Sequence, residues 1–354
     1  MRARRFGYGV SRIRGMKARI LTTENYDALL KASDLAGALQ ILRGSAYASC
    51  MEPLAGKEFD LTSFEKELWR DFIEDYRGVL GYITGKWRDF LVLNYNRFEA
   101  EYVKAVFRAF YGGGPPDEMF QQLASVGRFT PEFCTGLLKK GAPAKILEDS
   151  VEDRALRQKL LQCLPKCEEA KSSLPIETAI DNYYFTALWK LMESLPRQDR
   201  VLIRRIIGTE IDVSNINFVL RAKLTGLEPD FIASALIPIR FKLGDELDKS
   251  VHSPTVWEAV KALATGRYGN VLLDLAAICE QKHSVFPAEM ALKRLLISEN
   301  LVAFLQYPFQ LGPLLAYLNL KFQETKDIQA ILIGKANNVP ADRIVGSLVL
   351  YGVV

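Results

Sequence analysis

Histidine is almost missing from this chain: His252 and His283 are the only two in 354 residues. Acid–base chemistry that needs an imidazole therefore has little to draw on, and neither histidine lies beside a nucleophile motif. Both contexts predict solvated loop or helix-end positions. Cysteine is sparse and odd in number, with Cys50, Cys134, Cys163, Cys167 and Cys279 scattered along the chain. This excludes a disulfide scaffold and predicts reduced, mostly buried thiols of a cytosolic protein. A zinc site at Cys163 and Cys167 would need two further ligands that the sequence hardly offers. A phosphate loop is missing too. GYITGK at 81–86 has three residues between its glycines where such a loop has four, and Trp87 replaces the Ser/Thr that would hold magnesium. The first twenty residues are basic without an apolar core segment, unlike a secretory signal. No catalytic, cofactor or metal residues are assigned.

Long apolar runs are missing with one exception. Residues 301–320, LVAFLQYPFQLGPLLAYLNL, carry no formal charge and are long enough for a bilayer span. Pro308, Gly312 and Pro313 interrupt them, so two buried helical pieces around a bend are predicted instead.

Charge of one sign is concentrated rather than general. Arg2, Arg4, Arg5, Arg12, Arg14, Lys17 and Arg19 precede the first acid, Glu24, and the formal net charge is +4. The remaining chain is therefore net negative by three, which gives no composition-level case for nucleic acid. As a helix from about Val10, the basic stretch sets Ile13, Met16 and Ile20 on one stripe and Arg12, Arg14, Lys17 and Arg19 mostly off it. Such a segment packs on its own domain, docks a partner helix or faces anionic head groups.

What is abundant is helical periodicity. Residues 62–80 place Phe64, Leu68, Phe72 and Tyr76 at steps of four after a Thr/Ser cap. Residues 182–195 and 257–282 repeat the habit, and sustained alternation is scarce. The fold class is all-α. GGGPPD at 112–117 and TGLEPD at 225–230 punctuate the chain, suggesting helical repeat domains over 1–115, 116–228 and 229–354. Internal alignment agrees. LTSFEKEL (61–68), LPIETAID (174–181) and VFPAEMAL (285–292) align Glu65, Glu177 and Glu289 at a spacing of 112. RFEAEYVKAVFR (97–108), EIDVSNINFVLR (210–221) and FQETKDIQAILI (322–333) align Glu99, Asp212 and Glu324 at 113 and 112. A plain role suffices for acids near helix starts, where they complement the macrodipole and close capping boxes. Three tandem helical units would form a pseudo-threefold body or a short solenoid, both usually scaffolds.

Tyr8-Gly9-Val10-Ser11-Arg12-Ile13-Arg14-Gly15-Met16-Lys17 with Leu29-Leu30, and Ile176-Glu177, Asp181 and Tyr184-Phe185, resemble segments of the C/d subunit family of V-type and archaeal A-type rotary ATPases. The middle signature is Ile211-Asp212-x-x-Asn215-Ile216-x-x-x-Leu220-Arg221-Ala222-Lys223. Near the end lie Tyr307-Pro308-Phe309, Leu315-Ala316-Tyr317, Lys321, Glu324, Ile328 and Gly334-Lys335. The pattern departs at Phe322, where the family usually has Glu, at Asp327, where it usually has Asn, and at Tyr102, the position equivalent to Asn215.

The resemblance implies three similar helical domains in a pseudo-threefold, funnel-like arrangement. It implies a non-catalytic coupler that receives the central rotor shaft and sits on the cytoplasmic end of the membrane proteolipid ring. It implies no nucleotide, no metal and a peripheral place in the membrane complex. The basic segment Arg12, Arg14, Lys17 and Arg19 is expected towards the membrane side. A free-standing helical adaptor for soluble partners, or a nucleic-acid-binding repeat protein using the basic stretch, would share the repeat pattern.

Overall fold

A computed structural model describes residues 2–54, 60–113, 120 and 125–353, with side chains from residue 6 onward. Among the described residues there is no strand, and an isolated bridge joins Val126 to Phe129. The all-α class stands. Most of the GGGPPD segment (114–117) lies outside the described residues.

The chain opens with α1 (Arg2–Lys17), α2 (Thr23–Lys31) and α3 (Leu35–Arg43), then α4 (Leu61–Gly81) and α5 (Lys86–Gly112). There follow α6 (Pro131–Leu138), α7 (Pro143–Ser150), α8 (Arg154–Ala170), α9 (Leu174–Glu193) and α10 (Arg197–Leu224). The remainder is α11 (Pro229–Ala235), α12 (Asp245–His252), α13 (Val256–Leu263), α14 (Gly269–Lys282), α15 (Phe286–Leu305), α16 (Leu311–Ala336) and α17 (Ala341–Ser347). The internal repeat is visible in this order. Helices of 21, 20 and 20 residues (α4, α9, α15) each lead into one of 27, 28 and 26 (α5, α10, α16), with shorter helices between the pairs.

Contacts divide the chain into two compact units. Unit 1 comprises residues 1–91, 196–203 and 293–354; unit 2 comprises 92–195 and 204–292. In unit 1, α16 is the central element, packed against α1, α3, α4 and α17. Its near-uniform apolarity follows from that position: Leu314, Leu315, Leu318, Ile328, Ile331 and Leu332 are all fully buried. The uncharged run at 301–320 accordingly ends one helix at Leu305 and begins another at Leu311, and no helix among the described residues is long and apolar enough to cross a membrane. In unit 2, Val106, Phe107, Phe129, Leu137, Ile146, Leu147, Leu160 and Ile176 form one apolar cluster.

Local details differ from the periodicity reading where side chains compete for the backbone. The cap of α4 is Asp60, whose carboxylate accepts from the N–H of Thr62 and Ser63; Thr62 and Ser63 themselves are helical. The run 257–282 breaks at Gly266, because α13 ends at Leu263 and α14 begins at Gly269. The basic N-terminal helix starts at Arg2, well before Val10, and buries Phe6, Val10 and Ile13.

Candidate functional site

The polar signature residues Asp212, Asn215, Arg221 and Lys223 lie along one helix, α10; three of them hold irregular chain, and Arg221 holds the first turn of α15. Asp212 is fully buried in mid-helix. Its carboxylate accepts from the N–H of Phe241 (2.9 Å), the N–H of Lys242 (2.6 Å) and the O–H of Tyr268 (2.8 Å). Burial pushes this carboxyl above its ordinary pKa, against the pull of those donors. Close by on the helix, Asn215 accepts from the N–H of Ile237 (2.9 Å) and donates to the carbonyls of Ile237 (3.1 Å) and Ile239 (3.4 Å). The 236–243 segment between α11 and α12 has no helical ladder, so these two side chains supply partners that its buried backbone requires. Gly208, on the same helix, leaves no room for a Cβ beneath Phe241. Further on, Arg221 grips Glu289 with two bonds (2.5 and 3.1 Å), and Lys223 donates to the Ser253 carbonyl (2.6 Å).

The last repeat reproduces the pattern on α16. Glu324, fully buried, accepts from the N–H of Leu21 (2.5 Å) and the O–H of Tyr47 (2.6 Å). Asp327 accepts from the N–H of Val349 (3.0 Å) and of Leu350 (2.7 Å). Lys335 donates to the carbonyls of Leu30 (2.7 Å) and Ala32 (2.6 Å). Here the segments being held include the start of the chain, nearly three hundred residues away in sequence. Lys321 adds a cation that α10 lacks. Its ammonium lies 2.8 Å from Asp71, 3.0 Å from the Tyr47 hydroxyl and 3.9 Å from Glu324. Burial works against its charge, but the carboxylates outweigh it and its pKa is raised; burial also raises the Glu324 carboxyl, which Lys321 opposes.

The first repeat is partly described. Glu99 is part-buried on α5 beside Gly127, whose positive φ of 56° and missing Cβ let the backbone lie against the carboxylate. Tyr102 packs against the Phe129 ring; the residue that would correspond to Ile237 in this repeat lies outside the described residues. Arg108 grips Glu177 (2.8 and 2.5 Å), as Arg221 grips Glu289, and Ser173 also donates to Glu177 (2.6 Å). Glu177 and Glu289 sit in the first turns of α9 and α15, at the helix starts where an acid is favoured. Glu65 is different. It lies on α4, with one carboxylate oxygen buried and without a hydrogen-bond partner among the described residues, and burial raises its pKa. The position equivalent to Arg221 is Ile333, which is 46% exposed.

Sequence reasoning missed Asp199. It lies in the first turn of α10, fully buried, and accepts from the Trp87 indole N–H (2.9 Å) and the Leu311 backbone N–H (2.8 Å). Trp87, Asp199 and Leu311 are 112 residues apart and open α5, α10 and α16, so three equivalent helix starts meet at one carboxylate in unit 1. The signal was available in the repeat spacing. Tyr268 and Tyr47 were also missed, because their correspondence appears only when the end of the chain is read as continuing into its start.

Of the basic segment, Arg12, Arg14 and Arg19 are exposed, while Lys17 is half-buried with its ammonium 5.2 Å from the Phe304 ring. Cys50, Cys134, Cys167 and Cys279 are buried thiols and Cys163 is half-buried; burial pushes Cys50 and Cys134 up to about 12. Among the described residues no group of three His, Cys, Asp or Glu is placed to hold a metal ion. His283 ends α14 in the left-handed conformation (φ 47°), as Lys171 ends α8 (φ 46°) 112 residues earlier. Its place is a helix cap.

The side chains that recur thus act on the chain itself, clasping loops and neighbouring helices to three long helices. The sequence model of the family described as "ATP synthase (C/AC39) subunit" matches residues 10–346. The chain is 26% identical to the C subunit of the A-type ATP synthase of Halobacterium salinarum over 353 residues, 98% of this chain and 97% of that protein. It is 24% identical to that of Methanocaldococcus jannaschii (96% and 85%) and 25% identical to that of Methanococcoides burtonii (98% and 94%). With its recurring clasps in the positions of the family signature and a match across nearly its whole length, the chain belongs to the ATP synthase (C/AC39) subunit family.

Proposed function

We propose that this chain is a non-catalytic coupling subunit of a rotary ATPase or ATP synthase. It joins the central-stalk shaft to the proteolipid ring, as a peripheral protein on the cytoplasmic side, and serves proton or sodium transport without binding nucleotide. Its three helical repeat domains, over 1–115, 116–228 and 229–354, surround a pseudo-threefold axis. The observation that carries this reading is the meeting of Trp87, Asp199 and Leu311 at the starts of α5, α10 and α16. Equivalent residues of three tandem repeats bond directly when the repeats close around an axis, and an open solenoid would keep them apart.

A part that transmits torque needs stiffness, and close-packed interiors with their polar groups satisfied resist deformation. The clasps supply that at the weakest points, the irregular segments between helices. Arg108–Glu177 and Arg221–Glu289 bond across the cuts at 115 and 228. In this arrangement each repeat therefore lends its long helix to the next. Glu65, Glu99, Glu177, Asp212, Asn215, Arg221, Glu289 and Glu324 are its structural signature.

The test is a pull-down of the tagged chain from gently solubilised native membranes, read by mass spectrometry. Joint recovery of stalk subunits, catalytic subunits and proteolipid is the expected result. Recovery of soluble proteins alone would return the function to a free-standing adaptor.

A further inference from the structure

Two of the three repeats close an arginine on an acid, and the third has no arginine to offer. Arg108 grips Glu177 and Arg221 grips Glu289, each reaching from a long helix to the first turn of the 20-residue helix of the next repeat. The corresponding positions are Glu65 on α4 and Ile333 on α16, 112 residues from Glu177 and from Arg221. These two helices pack against each other in unit 1. Isoleucine supplies no donor, and one Glu65 oxygen is buried without a hydrogen-bond partner among the described residues. Asp60 adds a repelling charge. A desolvated carboxylate without a donor is costly, so in the chain by itself this acid is a liability.

The two paired sites show how a donor reaches such an acid. Glu177 and Glu289 are largely buried, but their guanidiniums lie outside: the Arg221 side chain is 66% exposed and that of Arg108 51%. Each arginine therefore covers its acid from the solvent side, not from the core. Ile333, in the position of Arg221, is also exposed. A guanidinium carried by another molecule has the same line of approach, and Ile333 offers apolar surface to its aliphatic stem. The fork of arginine suits the task better than an ammonium, because it can bond both oxygens of one carboxylate, as Arg221 does with Glu289.

We propose that Glu65, together with the exposed Ile333, is the docking point for an arginine of a partner protein. The partner completes in the assembly the clasp that the other two repeats make within the chain, so the α4–α16 seam tightens only on assembly. This rests on the coupling function proposed above, which places the chain in a multi-subunit complex, and adds the chemistry of one contact.

The test is carbodiimide labelling of carboxyl groups, read residue by residue by mass spectrometry. It compares the full chain free in solution with the tagged chain held in gently solubilised native membranes. In the free chain Glu65 should label faster than Glu289, and Arg221→Ala should bring Glu289 up to it. Ethylguanidinium, which carries the tip of an arginine, should protect Glu65 there more than tetramethylammonium does at equal concentration. Ile333→Arg should abolish that difference. In the membrane-held chain Glu65 should be protected several-fold. Glu65→Gln removes the acid and Ile333→Arg occupies it, so each should weaken retention through a salt wash about three- to tenfold, the worth of one charge-assisted bond at a half-exposed site.

Thermal melts establish that the variants are folded. Folded variants retained like the parent overturn the docking point and leave the coupling function intact. Glu65 labelled alike in both states, or already protected in the free chain, overturns it as well, the second because the cation then lies within the chain. Protection reproduced by protein-free phosphatidylethanolamine vesicles overturns the protein partner, since a lipid ammonium then supplies the charge. A parent chain recovered with no other subunit overturns the coupling function, and this inference with it.

Discussion

The polar faces of α10 in unit 2 and α16 in unit 1 perform one task with different side chains. Both place an acid in mid-helix to hold an irregular segment, a second polar residue three positions on, and a lysine near the end to hold carbonyls. The differences follow from what each side chain faces. Asn215 must accept one N–H and also donate to two carbonyls, which a carboxylate cannot do. Asp327 faces the N–H groups of Val349 and Leu350 and the amide of Gln323, all donors, so an acid serves there. The departure at Asp327 is therefore matched by its partners. The second difference, Arg221 against Ile333, is not matched: among the described residues it leaves Glu65 without the cation that Glu177 and Glu289 enjoy.

The largest effects should come from the mid-helix acids. Glu324→Ala removes the acceptor for Leu21 and Tyr47 and leaves Lys321 buried with one carboxylate fewer. The expected cost is about 3–5 kcal/mol. Asp212→Ala forfeits three donors but orphans no cation, and should cost about 2–4 kcal/mol. Hydrogen exchange separates the two. The Leu21 amide should lose protection in the first variant, and the Phe241 and Lys242 amides in the second. Equal loss everywhere, or none, would break the comparison.

Exchanging the second residue sharpens it. Asn215→Asp sets a carboxylate against the carbonyls of Ile237 and Ile239, and should cost about 2–4 kcal/mol at neutral pH. Asp327→Asn gives up one acceptor and should cost about 1 kcal/mol. Urea unfolding of both variants measures the asymmetry, and equal penalties would contradict the reading of their partners.

Arg221 and Ile333 test the unmatched difference. Arg221→Ala leaves Glu289 buried and unpaired; because the guanidinium itself is largely exposed, the expected cost is about 1–2 kcal/mol. Ile333→Arg should stabilise by about 0.5–1 kcal/mol by giving Glu65 its partner. The gain should vanish in a Glu65→Gln background. A gain that survives there would have another source, and the correspondence of positions 65 and 333 with 289 and 221 would fail.

Much of this was legible before the structure. The spacing of 112 singled out Glu177 and Glu289, which each take an arginine, and Asp212 and Glu324, which each hold irregular chain. The periodicity found α4 and α9, and Pro308 marked the break between α15 and α16. The sequence could not tell which acids sit at helix starts and which in mid-helix. Capping explains Glu177 and Glu289, but Asp212 and Glu324 are buried a dozen residues into their helices, where no local rule applies. Their partners are irregular segments with an otherwise unpaired backbone, together with Tyr268 and Tyr47, which stand 56 residues after one acid and 277 before the other, so no fixed spacing reveals them. Asp199 was hidden for a related reason: its partners, an indole and a backbone N–H, are equivalent by position and share no chemistry.

The smallest effect concerns Glu65 and carries a definite sign. Burial, with the nearby Asp60 charge adding to it, raises this carboxyl in the folded chain above its value in the unfolded one. The folded state then keeps the proton to higher pH than the unfolded state. The associated stability is fully present below the unfolded value, near the ordinary ~4.3 for glutamate, and is lost as pH rises through the raised one. At pH 7 to 8 the ionised side chain is a net liability. Glu65→Gln cannot ionise, so it should stabilise the fold at pH 8 by up to about 0.5 kcal/mol, seen as a slightly higher melting midpoint, and make no difference near pH 4. Glu289→Gln, made in parallel, should do the reverse at pH 8, because it discards the charge that Arg221 holds. If both variants lower the midpoint at pH 8, Glu65 has a cation after all, and α4 and α16 of unit 1 are closed by a bond like those of unit 2.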